Sequence, residues 1–167
     1  MSGTDRDQRW APVLGRYTVA TAEDMEALGV RIAHVLRGGD VVLLDGELGA
    51  GKTTLTRGIG VGLEIRDRVT SPTFVVARTH RRKSGEAPLV HVDAYRLGGV
   101  LEFDDVDVDV DASIVVVEWG APYVADLADE WLAIHISREL GGTPAAQDPD
   151  DADVADPREV TITVARG

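Results

Sequence analysis

Gly46-Glu47-Leu48-Gly49-Ala50-Gly51-Lys52-Thr53 is the stretch that most narrows what this chain can become. It fits the G-x-x-x-x-G-K-[ST] pattern, whose productive setting is the turn between a buried strand and the helix after it. The flanks supply both. Val41 to Leu44 is a short apolar run bounded by turn residues, which predicts a buried strand, and Thr53 to Gly62 predicts a helix. Glycines at 46, 49 and 51 let the backbone curl so that successive N–H groups point at a phosphate chain. The helix adds the positive end of its dipole. On this reading Glu47, Leu48, Gly49, Ala50, Gly51, Lys52, Thr53 and Thr54 form a nucleotide cradle. Lys52 reaches the β- and γ-phosphates, and Thr53 offers its hydroxyl to Mg²⁺.

The remaining pattern predicts an α/β domain. A strand is expected near Arg16 to Ala20, and Thr21 is placed to cap a helix, with Asp24 three residues on. Met25, Leu28, Ile32, Val35 and Leu36 then recur at helical spacing until Gly38-Gly39. Thr73 to Thr79 and Leu89 to Tyr95 read as antiparallel strands joined by the polar turn Arg81 to Pro88. Ile114 to Val117, Trp131 to Ile136 and Val160 to Val164 read as later strands. Apolar strands alternating with helices imply a P-loop NTPase-like, mainly parallel sheet flanked by helices, with an antiparallel hairpin portion. Val106 to Asp111 alternates Val with Asp and suits either an edge strand or an irregular acidic turn. Residues 1–15 are expected to be a flexible segment and 16–167 a single domain.

Charge is distributed unevenly. Six acids between Glu102 and Asp111, and seven acids against the single Arg158 between Glu139 and Glu159, carry the whole formal excess of −12. The rest of the chain is balanced. Gly141, Gly142, Pro144, Pro149 and Pro157 mark the second stretch, about 141–157, as a solvated, disordered acidic loop. A neutral body with 5% aromatics argues against tight direct tRNA binding. The absence of cysteine excludes thiolate zinc sites and thiol catalysis. No apolar stretch approaches the roughly 20 residues of a spanning helix. With no signal-peptide pattern at the start, a cytoplasmic protein without membrane contact is expected.

A triphosphate site needs a second acid near Mg²⁺, at the end of a neighbouring strand. Asp93 after Leu89 to Val92, and Glu118 after Ile114 to Val117, both qualify as ligand or as orienter of the attacking water. Glu118 is the stronger metal candidate because no polar residue interrupts its strand. The chain contains no asparagine, so the guanine-reading N-K-x-D motif cannot exist, which favours ATP. A small-molecule kinase remains open, with Arg78, Arg81, Arg82 and Lys83 as a lid or simply as a solvated hairpin tip. A nucleotide-dependent adaptor that does not hydrolyse is the other alternative.

Further motifs follow the P-loop in order: Thr56-Arg57-Gly58, Thr70-Ser71-Pro72-Thr73-Phe74, His91-Val92-Asp93-Ala94-Tyr95-Arg96-Leu97 and Val117-Glu118-Trp119. In this order and spacing the set resembles the TsaE (YjeE-type) P-loop ATPases over about Val19 to Ile136. The resemblance implies an ATPase that serves threonylcarbamoyladenosine formation at tRNA position 37, with TsaB and TsaD as partners and without itself transferring the carbamoyl group. It implies ATP and Mg²⁺ as cofactors, Lys52 on phosphate, Thr53 and Glu118 on magnesium, and Asp93 needed for hydrolysis. Thr73 falls in a switch-like loop where a hydroxyl can sense the γ-phosphate; its plainer reading is a strand-start threonine. Trp119 and His91 read as packing residues first. Tyr95 and Arg96 are candidates for a partner-facing surface. No arginine finger is assignable, so slow, partner-stimulated turnover is expected.

Overall fold

The computed structural model describes residues 3–47, 51–67, 69, 77–93, 109–119, 121, 124–138 and 157–167. Seven strands form one sheet: β1 Gly15–Val19, β2 Val41–Gly46, β3 Ala77–His80, β4 Leu89–Asp93, β5 Ile114–Glu118, β6 Glu130–Arg138 and β7 Arg158–Arg166, in the order β1-β7-β6-β2-β5-β4-β3. The four central strands, β6-β2-β5-β4, run parallel. Antiparallel pairs flank them on both sides, β4 with β3 and β6 with β7, which in turn pairs with β1. The valine-rich runs explain the arrangement. Ile114, Val115, Val116 and Val117 are all 0% exposed, so β5 is covered on both faces, as a central parallel strand must be.

Two helices cover one face, α2 Ala22–Ala33 and α3 Lys52–Gly62; the short α4 Val124–Leu127 lies toward the other. Thr21 caps α2 as its sequence predicts, its hydroxyl accepting from the Asp24 amide at 3.1 Å. Met25, Leu28, Ile32 and Leu36 enter the larger core with Val42, Leu44, Leu55, Ile59 and Ile134. Val41, Leu43, Val90, Val92, Val115 and Val117 form the second core with Val124 and Trp131. The helices α2 and α3 approach closely through three glycines, Gly29, Gly58 and Gly62, the last against Ala33 and the Val30 carbonyl. A Cβ on Gly58 would run into the Glu26 carbonyl, and one on Gly29 into the Leu55 carbonyl.

The N-terminal segment departs from the flexible stretch expected for residues 1–15. Gly3–Trp10 form α1, followed by a 3-10 turn at Ala11–Val13. Trp10 is 0% exposed in the larger core. Asp40, 1% exposed, accepts from both Arg9 Nη atoms and from the Arg37 amide, and Arg9 Nη1 also reaches the Val35 carbonyl at 2.7 Å. Beside Asp40 the Arg9 guanidinium is held above its ordinary value, chiefly by their hydrogen bond. One indole and one paired carboxylate outweigh the polar composition of this segment.

The described part of the Val-Asp stretch is a single 3-10 turn, Val110–Ala112, with the Asp109 side chain accepting from the Ala112 amide. The acidic loop expected at 141–157 lies almost wholly outside the described residues; Pro157 alone is described. Among the described residues no helix is long and apolar enough to cross a membrane.

Candidate active site

The sheet delivers its chemistry to the C-terminal edge of the parallel block. There β2 ends at Gly46, and Gly51 enters α3 with φ +112°, a left-handed conformation that glycine adopts without penalty. Lys52 opens the helix and is buried, at 6% exposed. Its Nζ donates to the Gly46 carbonyl at 2.6 Å and stands 3.6 Å from the centre of the Trp119 ring. Burial pushes the Lys52 ammonium below its ordinary value, and Glu118, Asp45 and Asp93 pull it back up. The lysine therefore sits in a field of three carboxylates. Thr53 and Thr54 lie half-buried in the first turn of α3, and Glu47 stands exposed at the end of β2.

The two strand-end acids meet. Asp93 and Glu118 are register partners at the ends of β4 and β5, with Leu44 of β2 opposite Glu118 on its other side. Glu118 is 4% exposed and Asp93 half-buried. The buried carboxylate has a partner that the sequence reading treats as packing. His91, 0% exposed on β4, places Nε2 at 2.8 Å from Glu118 Oε2. His80, two residues diagonally across on β3, is also buried. Burial pushes its imidazole below the ordinary value, reinforced by His91 and Arg78 and opposed by Asp67.

Trp119 combines two properties. Its backbone is left-handed at φ 61°, rare for a bulky side chain, and its ring receives the Lys52 ammonium. A hydrogen-bonded pair missed by the sequence reading, His135 Nδ1 with Asp45 Oδ2 at 3.1 Å, lies exposed across β6 and β2. Of the basic cluster, Arg78 on β3 is the register partner of His91, whereas Arg81, Arg82 and Lys83 are not gathered here. Arg82 Nε donates to the Leu63 carbonyl and its guanidinium pairs with Glu86, while backbone bonds from Arg66 to Arg81 and Lys83 to Glu64 tie this turn to the far end of α3. An 11-residue helix places that end about 16 Å from Lys52.

Of the residues singled out by sequence, Lys52, Asp93, Glu118 and Trp119 converge. Leu48, Gly49, Ala50, Thr73, Tyr95 and Arg96 lie outside the described residues. No group of three or more His, Asp or Glu side chains among the described residues is arranged to hold a metal ion by itself. The donor set suits Mg²⁺ nonetheless. That ion is held by one or two carboxylates, a hydroxyl and substrate phosphates rather than by an all-protein cage.

Comparison with known proteins gives concordant results. A family model described as "Threonylcarbamoyl adenosine biosynthesis protein TsaE" matches residues 19–143. A Streptomyces coelicolor protein named "tRNA threonylcarbamoyladenosine biosynthesis protein TsaE" is 56% identical over 122 residues, covering 71% of this chain and 82% of that one. A protein of the same name from Mycobacterium tuberculosis is 42% identical over 133 residues, covering 74% and 79%. Among solved structures, "Crystal structure of Bacillus subtilus YdiB" superposes with a TM-score of 0.62 at 30% identity, over 92% of this chain and 86% of that one.

Proposed function

Because this chain belongs to the TsaE family of tRNA threonylcarbamoyladenosine biosynthesis proteins, we propose that it is a Mg²⁺-dependent ATPase that drives that modification by cycling on a TsaD–TsaB assembly. It would act in the cytoplasm, without a membrane and without gripping the tRNA itself. The supporting observation is the convergence of Lys52 with the Asp93–Glu118 register pair at one sheet edge.

Each residue has a task set by its position. Backbone amides of the loop ending at Gly51 would enclose the phosphates, and the N-terminus of α3 would add its dipole. Lys52 neutralises charge on the β- and γ-phosphates after leaving the Gly46 carbonyl. The Thr53 hydroxyl and Glu118 carboxylate would hold Mg²⁺, which would supply positive charge against the negative charge developing on the phosphates. Asp93, alongside Glu118, orients the attacking water, and Thr73 would report the γ-phosphate. Positioning and electrostatics make up most of the catalysis, so isolated turnover is slow and a partner completes the site.

The experiment is single-turnover hydrolysis of γ-labelled ATP by the full chain, alone and with TsaD and TsaB. Slow release of inorganic phosphate, faster with the partners and lost in Lys52→Ala, is expected. Transfer of label to a small acceptor would identify a kinase instead. Support of tRNA modification by Asp93→Ala and Glu118→Ala proteins would identify a non-hydrolysing adaptor.

A further inference from the structure

Glu118 is held from below by a residue with no assigned task. His91 is wholly buried on β4, its Nε2 is 2.8 Å from Glu118 Oε2, and the two side chains come from neighbouring parallel strands on the same sheet face. A carboxylate 4% exposed must have its oxygens satisfied, and an imidazole in that position must be turned so as to satisfy one. Among the described residues, His91 Nδ1 finds no hydrogen-bond partner, so the contact with Glu118 is the one polar bond that fixes the ring.

We propose that His91 is a positioning residue for Glu118, donating from Nε2 to Oε2 so that the second carboxylate oxygen is presented to a divalent cation or its water. An ionised carboxylate only accepts, so the hydrogen sits on Nε2 and the lone pair on Nδ1. One oxygen committed to the strand beneath gives the carboxylate a single orientation before any cation arrives, which lowers the ordering cost of binding. The proposal rests on the reading of Glu118 as the magnesium-associated acid.

The test is calorimetric titration of Mg²⁺ into the full chain with AMPPNP, after thermal unfolding has confirmed that each variant is folded. His91→Leu should weaken Mg²⁺ about tenfold or more while leaving Mg²⁺-free nucleotide binding within about twofold, the range expected for loss of an outer partner. His91→Gln, whose amide nitrogen reaches the same point, should recover most of the loss. In a Glu118→Ala background, His91→Leu should add nothing. Should His91→Leu not fold, His91→Asn replaces it, since that amide is too short to reach Oε2. Independently, ¹⁵N spectra of the native protein should show the Nε2–H tautomer. Unchanged Mg²⁺ affinity in His91→Leu, no recovery in His91→Gln, or an Nδ1–H tautomer overturns the proposal while Glu118 keeps its role. Unchanged Mg²⁺ affinity in Glu118→Ala removes that role, and the proposal falls with it.

Discussion

The Lys52 ammonium rests 3.6 Å from the centre of the Trp119 ring while donating to the Gly46 carbonyl at 2.6 Å. Trp119 reaches it from a left-handed backbone at φ 61°. That conformation costs a residue bearing a Cβ roughly 1–2 kcal/mol and costs glycine little. The two effects separate by substitution. Trp119→Ala and Trp119→Gly both remove the ring, yet the glycine variant should be the more stable by about 1 kcal/mol in urea unfolding. Equal stabilities, or a more stable alanine variant, would contradict a left-handed backbone there.

Trp10 and Asp40 make the N-terminal segment part of the core. Trp10→Ala should cost about 3–5 kcal/mol of stability, as large-to-small changes at buried aromatics do. Asp40 precedes β2 and Lys52 follows it, so the clamp lies at the opposite end of a strand about 20 Å long. Nucleotide affinity of the folded Trp10→Ala protein should therefore be unchanged. Calorimetry well below the melting temperature checks this, and a large loss of affinity would refute the separation.

Gly58 occupies the middle of a helix, where alanine normally gains about 1 kcal/mol. Here the added methyl would meet the Glu26 backbone. Gly58→Ala should be destabilised by about 1–3 kcal/mol, the usual cost of overpacking, with a lower melting temperature. A neutral or stabilising outcome would mean that the helices part easily.

His80 supplies a pH dependence. Its folded value is depressed, mainly by burial, so the unfolded chain takes up a proton first as pH falls. Stability from this group is complete above the ordinary value of 6.5 and is lost as pH drops below it. Urea midpoints should fall between about pH 7.5 and 5.5, and fall less in His80→Leu. Identical slopes in the two proteins would exclude His80 as the source.

Much of this was legible because it is local or periodic. The Thr21 cap, the spacing from Met25 to Leu36 and the unbroken apolar run at Ile114 to Val117 each specify their element within a few residues. The P-loop's setting between β2 and α3 is of the same kind. What escaped depends on pairing across the sheet. His91 meets Glu118 only because β4 lies parallel to β5 in a register that aligns Asp93 with Glu118. Nothing within the His-x-Asp triplet announces a carboxylate 27 residues away. Trp10 stands alone at the end of a polar helix, with no repeat to betray its burial, and Asp40 looks like any turn acid until Arg9 folds onto it.

The glycine seam between α2 and α3 has a mechanical consequence. At Gly29 and Gly58 backbone meets backbone directly, so the helix that begins at Lys52 is coupled closely to its neighbour. If nucleotide binds at the first turn of α3 as proposed, its push on that turn would pass to α2 through this contact. Hydrogen exchange along both helices should then slow in concert when nucleotide binds.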